Sequence, residues 1–184
     1  ISTILQLIFG VLVALLLNSV FIGRSISRAV NLIPWAIPMV VAAMGFRWMF
    51  DSEYGLITDL TYRLTGLSIP WLTTSLGAKA AVIIANVWKS TPFLALVFLA
   101  ALQGVPKELY EAARIDGCSR WGIWWRIAVP LILPGLAASA ILNWIWTWNE
   151  FLFALILTGY DTPMLTPNIV QFVHEMGMEW HLMA

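Results

Sequence analysis

Residues 3–22, TILQLIFGVLVALLLNSVFI, carry no charged side chain over twenty positions. A helix needs about 20 predominantly apolar residues to cross the hydrocarbon core of a bilayer. A stretch this uniform has lipid as its natural solvent. The whole chain agrees: of its 184 residues 60% are hydrophobic and only 11% charged, and mean hydropathy is +0.83. Soluble domains carry about 25% charged residues. The formal net charge is zero, so no global field argues for a nucleic-acid partner. The single cysteine, Cys118, excludes an intrachain disulfide framework.

Four runs are long and apolar enough to span: 3–22, 29–50, 78–102 and 131–158. The second holds Pro34 and Pro38 one turn apart, the third holds Pro92, and the fourth opens at Pro134. Proline is tolerated in a spanning helix where neighbours satisfy the freed carbonyls, so kinked helices in a bundle are expected. The fold class is therefore all-α, a polytopic membrane helix bundle.

Basic residues orient it. Connection 23–28 carries Arg24 and Arg28 and no acid, and 103–130 carries Lys107, Arg114, Arg120 and Arg126. The stretch 51–77 instead holds Asp51, Glu53 and Asp59 with Arg63, and the tail 159–184 has no Lys or Arg. By the positive-inside rule 23–28 and 103–130 are cytoplasmic, while 51–77 and 159–184 face outside. GLSIPWL and DTPMLTP read as turn-rich outer loops. Trp35, Trp48, Trp71, Trp121, Trp124 and Trp125 fall near the expected interfaces, as an aromatic belt would.

The large cytoplasmic connection is the unusual part. ELYEAARIDGCSRWGIWWRIAVP, residues 108–130, packs six charged groups between two apolar runs. Pro106 suits the start of a helix whose first turn holds Glu108, close to the positive end of the dipole. Gly117 suits a left-handed C-terminal stop, and Ser119 suits the N-cap of a second short helix. Ala112 and Ala113 present little bulk. On physical grounds this element fits either of two roles, docking into a groove on another protein or lying on the membrane surface.

Its residues also resemble the EAA loop of permease subunits of binding-protein-dependent ABC importers. That pattern is Glu-Ala-Ala, three residues, Gly, nine residues, Ile, one residue, Leu-Pro. Here it stands as Glu111-Ala112-Ala113, Gly117, Ile127 and Val129-Pro130, with Val in place of Leu. The flanks ALQGVPKELYEAARIDG, LIPWAIPMVVAAMGFRWMF, VWKSTPF and WNEFLFALILT are similar to the carbohydrate-uptake branch, of maltose, glycerol-phosphate and trehalose type. The resemblance covers essentially the whole chain and implies an importer permease core. It implies four visible spans of six, with a first span ahead of Ile1 and a sixth starting near WHLMA.

The resemblance further implies partners: a second, homologous permease, two ATPase subunits that bind ATP and Mg, and an extracytoplasmic substrate-binding protein. The location it implies is a bacterial inner membrane. Within the loop it implies that Glu111, Ala112, Ala113, Arg114, Asp116, Gly117 and Arg120 meet the ATPase. No G-x-x-x-x-G-K-[ST] phosphate loop occurs in the chain, so ATP hydrolysis is expected elsewhere. No His/Cys/Asp cluster has metal-ligand spacing; His174 and His181 sit alone in the tail. Neither a catalytic residue nor a metal ligand is therefore assigned, and no cofactor is expected in this chain.

Ionisable residues inside a membrane are expensive and need a partner or a polar cavity. Arg47 is near enough to a span end to snorkel. Lys89 and Glu150 are candidates for the pathway or for cross-bundle pairing. Asn86, Asn143 and Asn149 add hydrogen-bonding capacity suited to hydroxyls, and Trp88, Trp144, Trp146 and Trp148 offer faces on which sugar rings stack. Trp144 and Trp148 are one turn apart and equally suit packing. Three function classes remain: a sugar importer permease, an importer permease for amino acids or peptides, and a carrier that needs no ATPase. The flank ALQGVPKELYEAARIDG favours the first. The third often shows inverted repeats, and none is evident here.

Overall fold

A computed structural model describes residues 1–158. The outer segment 159–184, with DTPMLTP, His174 and His181, lies outside the described residues. Among the described residues every regular element is helical: α1 (Ser2–Asn18), α2 (Arg24–Asn31), α3 (Ile33–Ala36), α4 (Met39–Met49), α5 (Leu56–Thr65), α6 (Ser75–Gln103), α7 (Lys107–Ile115), α8 (Arg120–Ile123), a π-helical turn (Trp124–Ala128), α9 (Val129–Trp148) and α10 (Leu152–Leu157). They gather into two units. The first holds Ile1–Ala36 and Trp88–Trp146, and the second holds Ile37–Val87 and residues 147–158.

In the first unit α1 packs on the latter part of α6 and the start of α9. Ala14 and Leu17 meet Leu94, Phe98, Leu99 and Leu102, with Ala128 and Ile132 completing the cluster. Gly10 allows the close approach of α1 to α6: a Cβ there would lie 3.0 Å from the Phe98 ring and 3.1 Å from Leu94 Cβ. Small residues at such crossings let membrane helices gain packing contacts that lipid cannot supply. In the second unit α4 and α10 enclose the early turns of α6 through Ala42, Ala43, Phe46, Phe50, Ala81, Ala85, Phe153 and Leu157. The Phe46 and Phe153 rings meet edge-on at 6.2 Å.

Among the described residues two helices are by themselves long and apolar enough to cross a membrane, Ser75–Gln103 and Trp121–Trp148. Half of the apolar window in the first is buried, against 17% in the second, so α9 leaves most of its apolar surface uncovered. Leu131, Leu133, Ile141 and Leu142 are all exposed along it.

Two of the expected spans differ from a single helix. The run 29–50 is divided: α3 ends at Ala36, and Pro38, at φ −55° and ψ 139°, opens α4. Pro38 has no N–H to give the Pro34 carbonyl, and its ring crowds the preceding turn. The run 131–158 begins earlier and ends earlier, because α8, the π turn and α9 follow one another without a break while Asn149–Phe151 separate α9 from α10. The first run forms a helix of 17 residues rather than the twenty expected. Pro134 lies inside α9 rather than at its start.

The π turn has a local cause. Pro130 cannot donate to Arg126, and its ring presses on that carbonyl. The chain widens just upstream, where the Val129 N–H bonds to the Trp124 carbonyl five residues back. The stretch 51–77 also contains α5, which alternating turn residues did not announce. Arg63 and Asp59 pair on its surface at 2.8 Å, an exposed (i, i+4) contact of little energetic weight.

Candidate functional site: the α7 loop and the polar residues of the helices

Helix α7 is held by one face and bare on the other. Ala113 is buried and Tyr110 packs on the α1–α6–α9 cluster. Glu108, Glu111, Ala112 and Ile115 lie at three- and four-residue spacing on the opposite side, and all are exposed. Ile115 is 87% exposed, a large apolar side chain left uncovered among the described residues. Burial pushes the Tyr110 phenol above its ordinary range, which fits its place against the cluster.

The helix ends where the glycine demands. Gly117 has φ +76°, the Cys118 N–H reaches the Ala113 carbonyl at 2.9 Å, and the Gly117 N–H reaches the Arg114 carbonyl at 3.1 Å. This is the paired-bond stop that a left-handed residue makes possible. Nothing crowds a Cβ at Gly117, so its conformation alone selects glycine. Two residues on, Ser119 Oγ accepts the Gly122 N–H at 3.1 Å and caps α8, which begins at Arg120. The structure therefore joins Glu111, Ala112, Arg114, Asp116 and Gly117 on one short rigid projection. Ala113 differs: it faces inward and anchors the projection rather than lining its outer side.

The polar residues expected along the helices fall in different places. Trp88, Lys89, Asn143 and Trp144 belong to the first unit, and Asn86, Asn149 and Glu150 to the second. Lys89 Nζ donates to the Pro34 carbonyl at 3.0 Å and the Trp35 carbonyl at 2.8 Å. It thus satisfies backbone groups that the break at Pro38 set free. From the facing side, Asn31 Nδ2 donates to the Pro92 carbonyl at 3.3 Å. Asn143 is buried and donates to Gln6 Oε1 at 2.6 Å. Glu150 accepts the Phe153 N–H at 2.8 Å, a carboxylate at the positive end of α10. Asn86 is buried, whereas Trp144, Trp148 and Asn149 are exposed.

Sequence reasoning passed over three features. Gln6 is the one amide in the interior of α1, Asn18 standing at its last residue, and that isolation was its signal. Trp35, Phe93 and Trp146 form a row from α3 through α6 to α9, with successive ring centroids 5.7 Å apart. Arg24 and Arg28, read only for charge, converge on the last turn of α1, where Arg24 Nε donates to the Leu17 carbonyl at 2.9 Å.

The family described as binding-protein-dependent transport system inner membrane component matches residues 6–177. The chain belongs to that family. Among its relatives, the trehalose/maltose transport system permease protein MalF of Thermococcus litoralis is 40% identical over 159 residues, 86% of this chain and 54% of the relative. The sulfoquinovosyl glycerol transport system permease protein SmoG of Agrobacterium fabrum is 34% identical over 169 residues, 92% of this chain and 55% of the relative. The chain thus spans about half the length of the curated relatives it matches. In fold it is similar to a chain of a bacterial alginate ABC transporter solved in complex with an alginate pentasaccharide-bound periplasmic protein. There the TM-score is 0.79 at 22% identity, covering 94% of this chain and 65% of that one. The likeness supports the family's helical membrane architecture.

Proposed function

We propose that this chain is the membrane-spanning part of an ATP-driven importer, forms the pathway for a sugar or sugar derivative, and couples to a separate ATPase through α7. The observation that carries the reading is the bare outer face of α7, Glu108–Glu111–Ala112–Ile115, on a helix stopped sharply at Gly117. A projection anchored by Ala113 and Tyr110 behaves as a rigid lever, so a push on its outer face reaches the α1–α6–α9 cluster. Glu111 offers a charge at the contact, Ala112 lets a partner surface come close, and Arg114, Asp116 and Arg120 add flanking charge.

The partners proposed are a second, homologous permease, two ATPase subunits that carry ATP and Mg, and an extracytoplasmic binding protein, all in a bacterial inner membrane with 103–130 on the cytoplasmic side. Sugar is favoured over amino acids or peptides because relatives of this chain include permeases named for trehalose/maltose, sulfoquinovosyl glycerol and maltodextrin.

The test is co-purification and ATPase assay of the reconstituted complex, with Glu111→Lys and Gly117→Asp beside wild type. Both variants are expected to reach the membrane but to lose the ATPase subunit or its substrate-stimulated hydrolysis. Normal assembly and coupling in both would sink the reading and leave α7 a surface helix.

A further inference from the structure

We propose that Gln103 is a positioning residue that makes α1 and α2 follow the movement of α7; the inference rests on the coupling role proposed above. Gln103 is the last residue of α6, and only Gly104, Val105 and Pro106 separate it from α7. Val105 is buried in the same cluster as Leu102, so this link is short and held. The Gln103 amide, oriented by the donors that face it, accepts from Arg28 Nη2 at 2.6 Å and from Arg24 Nη2 at 3.3 Å.

The same two guanidiniums reach the end of α1: Arg24 Nε donates to the Leu17 carbonyl at 2.9 Å and Arg28 Nη2 to it at 3.4 Å. One amide oxygen and one backbone carbonyl are thus bridged by two cations, and α1, α2 and α6 meet at that point. Among the described residues neither arginine has a carboxylate within ion-pair distance, so the neutral Gln103 oxygen is a chief acceptor for both. Hydrogen bonds to ionised donors are the stronger kind. Arg28 Nε is buried and meets no acceptor among the described residues. A buried charged donor left open marks a junction with bonding capacity to spare for a second arrangement.

The mechanical consequence follows from where α2 is otherwise tied. Farther along, Asn31 and Lys89 pin the α2–α3 segment to α6 through the Pro92, Pro34 and Trp35 carbonyls. Those ties lie about three to four turns back from Gln103 on α6. With Gln103 in place, the end of α6 next to α7 and the start of α2 move together. Without it, the start of α2 loses its tie to the end of α6 next to α7, and less of the movement of α7 passes through the arginines to α2 and the end of α1.

The experiment uses the complete transporter in proteoliposomes and reads uptake per ATP hydrolysed. Gln103→Leu should co-purify with the ATPase and keep basal hydrolysis. Its uptake per ATP should fall at least about fivefold, the low end of ordinary coupling between sites. Gln103→Glu, which keeps an acceptor for both arginines, should stay within about twofold of wild type. Wild-type uptake per ATP in Gln103→Leu overturns the proposal. Should Gln103→Leu fail to assemble, Gln103→Asn, which only withdraws the amide by one methylene, must still lower the ratio, and an unchanged ratio there is equally fatal. Glu111→Lys runs alongside. If it uncouples while Gln103→Leu does not, the positioning role alone fails. If it has no effect, the role of α7 fails and takes this inference with it.

Discussion

Lys89 Nζ sits 3.0 Å from the carbonyl oxygen of Pro34, the acceptor whose in-helix donor would have been the N–H that Pro38 lacks. A cation on one helix thus compensates a proline on another, 51 residues earlier in the chain. A lysine in an apolar run is costly unless paired, and here its pairing is with backbone. Replacing it should expose that debt. Lys89→Met is expected to lower stability by about 1 kcal/mol, the net worth of the hydrogen bonding it removes from the two carbonyls. In a Pro38→Ala background, where residue 38 regains an N–H, the loss should shrink. Thermal unfolding of the four variants in detergent checks this. Equal losses in both backgrounds would show that the two residues are not coupled.

Gln6 and Asn143 make the corresponding bond between α1 and α9, at 2.6 Å and buried on both sides. Each amide alone in an apolar setting is a liability, so Gln6→Leu and Asn143→Leu should each destabilise. The double variant should cost less than their sum, with an interaction energy of about 0.6–1.7 kcal/mol, from the mean to the maximum found for hydrogen bonds between membrane helices. A double-mutant cycle by denaturant unfolding reads it directly, and strict additivity would remove the bond from the list of forces holding α1 to α9.

Asp51 predicts an acid limit for the turn ahead of α5. Its carboxylate accepts the N–H groups of Glu53 at 2.9 Å and Tyr54 at 3.1 Å, and these bonds, helped by the nearby Arg47 charge, hold its pKa below the ordinary value. A depressed folded pKa means stabilisation that is complete above the unfolded value, about 3.9, and is lost as pH falls through the folded one. A carbon-13 titration of the Asp51 carboxyl should give a midpoint under that value, moving up toward it in Glu53→Pro, which removes one of the two N–H donors. A midpoint at or above it in wild type would contradict the turn.

What the sequence made legible was mostly local. Gly117 and Ser119 announce a helix stop and a helix cap because each acts on backbone within five residues of itself. Long apolar runs announce helices for the same reason. The break at Ile37–Pro38 was half legible: two prolines one turn apart imply a bend, but a full interruption depends on Lys89 and α6 being present to accept it. The interruption at Asn149–Phe151 was not legible, since Asn149 and Glu150 stand out there only as polar residues while no Pro or Gly marks a helix stop. The polar candidates illustrate the same divide. Lys89, Asn143 and Glu150 were detectable as polar groups out of place, yet their partners are a carbonyl, an amide and an N–H that no spacing rule selects.

The sidedness of α7 offers the sharpest check on how this chain works. A photo-reactive residue placed in turn at Glu108, Glu111 and Ile115, and at the inward positions Tyr110 and Ala113, would be activated in the assembled complex. Cross-links to the ATPase subunit should arise from the three outer positions and not from the two inner ones. Cross-links that go to lipid, or that appear equally from both faces, would mean that α7 is not the element that meets the ATPase.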